Sequence, residues 1–517
     1  MSSKLSKPGT LALVCALVAG AATVAGSAQA LPADSAHKEI RNVIYLLGDG
    51  MSRSHVAAAR YRFHGADGML NMERLPAAGT VSTHASRRNS DFPVLVTDSS
   101  SAATAWASGV KTYNGAVGID AYGRQRATLM EQAKASGFAT GNVTTAEVTD
   151  ATPAAQYSHV LHRNCQGPDF SADACVFERA DGTFEPLPDN RTLVTPIAEQ
   201  IARNGTADVV FGGGLARFEP DDQLALEAQG YQLLGNFGDP AMAEQTAASQ
   251  TVATRADLDK AAGSKVFGLF NRGNLTTEHA RTRLPADSPA HQEPTLAEMT
   301  RASISLLSRR RDTKGFFLQI EGASIDKRSH ANEAAQTLGE VKAFDDAVKA
   351  AVDFARRDGN TLVIVTADHE CAGFSLIEKG AFTNAEAVAP PDNRDSDNPA
   401  NNGSPTRTRS DHKKDPLRSG GIINGAGSQD PKNFAPATLR TPDDPADVVD
   451  GSPDASLWLS YLSGEHTGAD VPLYAYGPGS GRLVGGQDNI ELYEEMFLRL
   501  FGQTAAQDGS IQARERS

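Results

Sequence analysis

Short apolar runs alternate with helix-like stretches through most of the chain. The strand-length runs are Asn42–Leu47, Phe138–Thr144, Asp208–Phe211, Lys265–Phe270, Gly315–Ile320, Thr361–Ala367 and Val471–Tyr476. Between them, Ser99–Gly109, Leu129–Ser136, Pro294–Ser308, Leu338–Arg356 and Asn489–Phe501 carry helical spacing. This alternation predicts an α/β fold, with one large, mostly parallel central sheet covered by helices on both faces. No internal repeat is visible.

Three segments break the pattern. Lys4 and Lys7 precede an apolar run from Leu11 to about Ala25, and Ala28-Gln29-Ala30 follows as a small-x-small cleavage site. Residues 1–30 therefore read as an export signal, too short for a membrane span. From Pro390 to Pro453 the chain holds ten of its 26 prolines, which excludes a long helix or a central strand. The expected organisation is a single domain over 31–502 with a loop-rich surface insertion at about 376–460, then a polar tail, 503–517. The mature protein is expected to be periplasmic or secreted.

Composition narrows the partners. The 517 residues include 49 Lys+Arg and 63 Asp+Glu, a net charge of −14. An acidic chain without a basic run argues against nucleic acid or an anionic membrane surface as partner. An anionic substrate would need a local positive centre. Export removes Cys15 and leaves Cys165, Cys175 and Cys371. Cys165 and Cys175 enclose a short polar loop and should pair in an oxidising compartment, leaving Cys371 over.

Polar residues cluster where predicted strands end. Asn42–Leu47 runs into Gly48-Asp49-Gly50, Gly315–Ile320 into Glu321-Gly322, and Thr361–Thr366 into Ala367-Asp368-His369-Glu370. One acid after a strand is more often a helix cap than a ligand. Three at one sheet edge, where open α/β sheets bind ligands, point to a metal site. Asp326 and His330, four apart on a helix, project from one face and can share an ion. Asp98 is placed as an N-cap before Ser99-Ser100-Ser101, whose helix would begin with backbone N–H groups facing an anion. Ser99 is the candidate nucleophile, and no Gly-x-Ser-x-Gly elbow competes with it.

These residues fall in motifs. Leu46–Met51 (LLGDGM), Val96–Trp106 (VTDSSSAATAW), Gly109–Ala116 (GVKTYNGA), Asp150–Ala154 (DATPA), Gln319–Lys327 (QIEGASIDK) and Val365–His369 (VTADH) occur in this order. Over about Ile40 to Phe501 the chain resembles bacterial alkaline phosphatases of the zinc-dependent, serine-nucleophile type. The resemblance implies hydrolysis of small phosphate monoesters through a phosphoserine on Ser99, with a broad substrate range. It implies one zinc at Asp326, His330 and His466, a second at Asp49, Asp368 and His369, and a magnesium at Asp49, Thr152 and Glu321. It further implies Arg163 as the phosphate clamp oriented by Asp98, Asp150 and Lys327 as water-mediated contacts to magnesium and phosphate, and a homodimer.

Two features depart from the family pattern. In the better-known members the third histidine follows sooner, whereas 96 residues separate His369 from His466 here. Glu370-Cys371 is also unexpected after His369. Competing readings are a phosphodiesterase or sulfatase of the same superfamily, and a secreted phosphate-binding protein without catalysis. The serine context lacks the Cys/Ser-x-Pro-x-Arg of sulfatases, and the complete magnesium set with Arg163 favours a monoesterase.

Overall fold

The structure is a computed structural model. It describes residues 42–168, 177–178, 184–185, 195–239, 241–242, 248–379, 437–452, 454–462 and 464–508. The export signal, Cys175 and most of the Pro-rich segment lie outside these residues. Cys165 is buried and disulfide-bonded.

Among the described residues ten strands form the central sheet, in spatial order Gly485–Asp488, Ala77–Ser82, Val471–Tyr476, Thr361–Thr366, Asn42–Gly48, Phe316–Gly322, Ala139–Glu147, Val209–Gly213, Val266–Leu269 and Gln232–Leu234. All seven predicted runs are in it. The three unforeseen strands lie toward its two margins. Only Val471–Tyr476 runs against the others, pairing antiparallel with Thr361–Thr366 and with Ala77–Ser82.

The central strands are buried along their whole length, as near-continuous apolar sequence requires when helices cover both faces. Helix Ala334–Asp358 packs beneath Asn42–Gly48, Phe316–Gly322 and Thr361–Thr366, and Leu296–Ser308 packs against it. Thr295 and Glu298 form the capping box that starts Leu296–Ser308. Helix Asn489–Phe501 lies on Asn42–Gly48 and on helix Ser99–Ser108.

Register matters most for function. Leu47 stands opposite Glu321 on one side and Thr366 on the other, so three carboxyl ends finish level. The reversed strand Val471–Tyr476 presents its amino end at that same edge. A residue just before it arrives beside residues just after the parallel strands.

The Pro-rich segment ends in more structure than its composition foretells. Ala437–Leu439 and Ser375–Ile377 flank Leu457–Ser460 in an antiparallel three-stranded sheet against helix Arg53–His64. Leu439 and Leu459 are fully buried there. Ala437–Leu439 and Leu457–Ser460 thus belong to the core, because they supply each other strand partners and an apolar face that proline counting does not register. Among the described residues no helix is long and apolar enough to cross a membrane.

Candidate metal centre

Each candidate side chain is placed by an element that ends at the level edge. Asp49 follows Asn42–Gly48, Glu321 closes Phe316–Gly322, and Asp326 and His330 lie one turn apart on helix Ser324–His330. Asp368 and His369 follow Thr361–Thr366, Asp150 and Thr152 begin the short helix Ala151–Ala154, and His466 precedes the reversed strand. Gly50 (φ 70°) permits the crowding, since a Cβ there would come within 2.9 Å of the Asp326 Cα.

The two histidines of the first group are aimed from behind. The Nδ1 of His330 lies 2.5 Å from the Gly464 carbonyl, and that of His466 lies 3.0 Å from the Thr97 carbonyl. A carbonyl can only accept, so each Nδ1 carries a proton and each Nε2 is turned toward Asp326. These Nε2 atoms sit 3.1 Å apart, and Asp326 Oδ2 is 3.1 Å from that of His330. In the second group, His369 Nε2 lies 3.2 Å from Asp368 Oδ2 and 3.6 Å from Asp49 Oδ1. The Ser99 hydroxyl is 3.1 Å from the same nitrogen.

Ser99 opens helix Ser99–Ser108. Asp98 caps it, accepting from Ser101 N at 2.9 Å, and Trp106 Nε1 ties the helix to Gln319 at 3.1 Å. Gln319 Nε2 in turn donates to the Thr152 carbonyl at 3.0 Å, so the serine helix and Thr152 share one strand as reference. Arg163 donates to Asp98 Oδ2 at 3.3 Å and to Asp150 Oδ1 at 2.9 Å, while Lys327 Nζ donates to Asp150 Oδ2 at 2.8 Å. Sequence reasoning missed several supports: Thr144, whose hydroxyl donates to Glu321 at 2.5 Å, Asn114 beside Asp98, and the two carbonyls behind the histidines. Carbonyl partners carry no side-chain signal. Thr144 alternates along its strand and could have been read as facing the edge.

The electrostatics suit cations. Burial and the neighbouring Asp368 and Asp326 push the Asp49 carboxyl well up. Burial with Asp150 nearby raises Glu321 to about 8, and burial raises Asp368 to about 6 despite the Gly50 N–H. Asp326 goes the other way, because His330 and His466 outweigh its burial. Asp98 also stays well below the carboxylate range: burial is overcome by Arg163 and the Ser101 N–H. Asp49 Oδ1, Asp326 Oδ1 and Asp368 Oδ2 are buried without a hydrogen-bond partner. Repelling, solvent-excluded oxygens beside imidazole nitrogens fit divalent cations.

A covered α/β sheet whose carboxyl edge gathers acids, imidazoles and a capped serine defines a metal-dependent hydrolase. The sequence profile described as alkaline phosphatase matches residues 40–501, and the chain belongs to the alkaline phosphatase family, enzymes that hydrolyse phosphate monoesters. It is 34% identical over 512 residues to the alkaline phosphatase of Escherichia coli, covering 93% of this chain and 90% of that one. Among solved structures, the alkaline phosphatase of Thermus thermophilus aligns with TM-score 0.61 at 25% identity, covering 90% of this chain and 92% of that one. A variant of the TAB5 alkaline phosphatase, with magnesium bound in its M3 site, aligns with TM-score 0.57 at 25% identity over 90% of this chain and 98% of that one.

Proposed function

We propose that Ser99 is the nucleophile of a two-step phosphomonoester hydrolysis. The observation that carries this is its hydroxyl, 3.1 Å from His369 Nε2 and at the start of a helix, among acid oxygens with no hydrogen-bond partner. Asp326, His330 and His466 would hold one zinc, Asp49, Asp368 and His369 a second, and Asp49, Thr152 and Glu321 a magnesium. Magnesium in the TAB5 variant supports the third assignment. Bound there, cations would activate oxygen nucleophiles and neutralise charge on attacking and leaving oxygens.

The chain's own residues do the rest. Arg163, braced by Asp98 and Asp150, offers a planar fork to two non-bridging phosphoryl oxygens. Helix Ser99–Ser108 turns its N–H groups toward the same anion. The Ser99 oxygen bonds to phosphorus and loses its proton, and the ester oxygen departs as alcohol. Water then cleaves the phosphoserine, freeing inorganic phosphate and restoring the hydroxyl. Asp150 and Lys327, paired at 2.8 Å, flank the phosphate through water. Recognition centred on the phosphoryl group leaves the alcohol loosely specified, so a broad substrate range follows.

Ser99→Ala should cut turnover of p-nitrophenyl phosphate by about three orders of magnitude and abolish covalent phosphate labelling. Undiminished turnover would overturn the assignment. Faster turnover of the bis-ester or the sulfate would favour the diesterase or sulfatase reading. The same proposal includes export through residues 1–30, a Cys165–Cys175 disulfide and a homodimer, to be checked by N-terminal sequencing, thiol counting and light scattering.

A further inference from the structure

The phosphatase reading leaves Cys371 without a role. It is a buried free thiol two residues past His369. Its backbone is fixed twice. Cys371 N donates to the Gly50 carbonyl at 3.2 Å, and the two-residue strand Glu370–Cys371 pairs antiparallel with His466–Thr467, with Cys371 directly opposite His466. Residues facing each other on such a ladder project to the same side. The thiol's own contact is weak, 3.7 Å to the Asp326 carbonyl. Yet one ligand atom from each of Asp326, His330, Cys371 and His466 falls within 4.8 Å of every other. A cysteine alone would mean little. Here Asp326 Oδ1, buried and without a hydrogen-bond partner, faces the same point, 3.6 Å from His466 Nε2.

We propose that Cys371 is a reserve fourth ligand of the Asp326–His330–His466 site, closing it around a thiophilic divalent cation such as cadmium. The inference rests on reading those three residues as metal ligands. Three protein ligands leave a coordination position for water or a substrate oxygen, whereas four complete a tetrahedron and remove it. A soft sulfur donor selects soft cations over hard ones. As the sulfur–metal bond forms, the thiol gives its proton to solvent and exchanges its weak carbonyl contact for the metal. The site then has two modes: an open one suited to hydrolysis, and a closed one that stores or is poisoned by a soft ion.

The test uses the full mature chain, stripped with a chelator and reloaded with cadmium alone. The expected result is an ultraviolet thiolate-to-cadmium band in the wild type that is missing from Cys371→Ser and Cys371→Ala. No band in the wild type, or a band that survives in both variants, overturns the proposal. Cadmium-edge X-ray absorption on the wild type needs no variant: a sulfur neighbour supports the proposal and an all-nitrogen-and-oxygen shell defeats it. Zinc binding separates the two levels. A chain that takes zinc with Asp326-dependent stoichiometry but gives no sulfur signal loses only the Cys371 role. One that binds neither ion loses the underlying metal reading as well.

Discussion

The two edges of the central sheet both bury acids and treat them in opposite ways. At the amino edge Asp208 precedes Val209–Gly213 with its side chain 1% exposed. Lys134 pairs with it, Thr140 N donates to it at 3.0 Å, and Arg310 stands 3.4 Å away. At the carboxyl edge Asp49, Asp326 and Asp368 each keep an oxygen that no donor meets. Burial is common to both sets and so identifies neither. An acid with its oxygens bonded is part of the scaffold, whereas several acids sharing unmet lone pairs form a ligand set.

The strongest challenge to that contrast is metal removal. Chelation should abolish phosphatase turnover and lower unfolding stability by about 2.7 kcal/mol for each site previously held at a hundredfold excess over its dissociation constant. Zinc with magnesium should restore both, as read by turnover and denaturant melts. An unchanged melt would erase the distinction between the edges. Next, Arg163→Lys exchanges a fork for a point charge and should lower kcat/KM by about 10- to 100-fold, with weaker inhibition by inorganic phosphate. Asp208→Asn makes the reciprocal cut at the amino edge. It should cost about 2 kcal/mol of stability in urea melts and leave kcat unaltered.

Glu340 gives the finest test. It lies on helix Ala334–Asp358, which begins at the carboxyl edge, and accepts from Glu278 N at 2.7 Å. Burial lifts its carboxyl to about 7 against the opposing pull of Arg328 and Arg281. A group raised above its unfolded value of about 4.3 contributes stability that is complete below that value and lost as pH climbs through the folded one. Glu340→Gln should therefore flatten the decline in stability over that window, measured as denaturant midpoints against pH. An unaltered slope would mean that this acid, too, belongs with the fully bonded ones.

Most of the fold was legible because buried parallel strands write long apolar runs. Ala77–Ser82 and Gly485–Asp488 were not, since small and polar residues there pair only because a neighbour offers its edge. The site was legible where acids follow strands, and the resemblance supplied His466 and Arg163, which no local pattern marks. The fixed orientation of His330 and His466 was hidden, being set by main-chain carbonyls distant in sequence. The approach of Cys371 to His466 was hidden for the same reason: a two-residue ladder spanning almost a hundred positions leaves no periodicity to read.

The small three-stranded sheet has an engineering consequence. Ile377 and Thr438 both stand opposite Trp458, one on each side, so the chain leaves and re-enters that sheet across two strand spacings, roughly 10 Å. A guest polypeptide whose own termini lie that close could be spliced between them as cargo. The ladder that positions His466 would lie outside the graft.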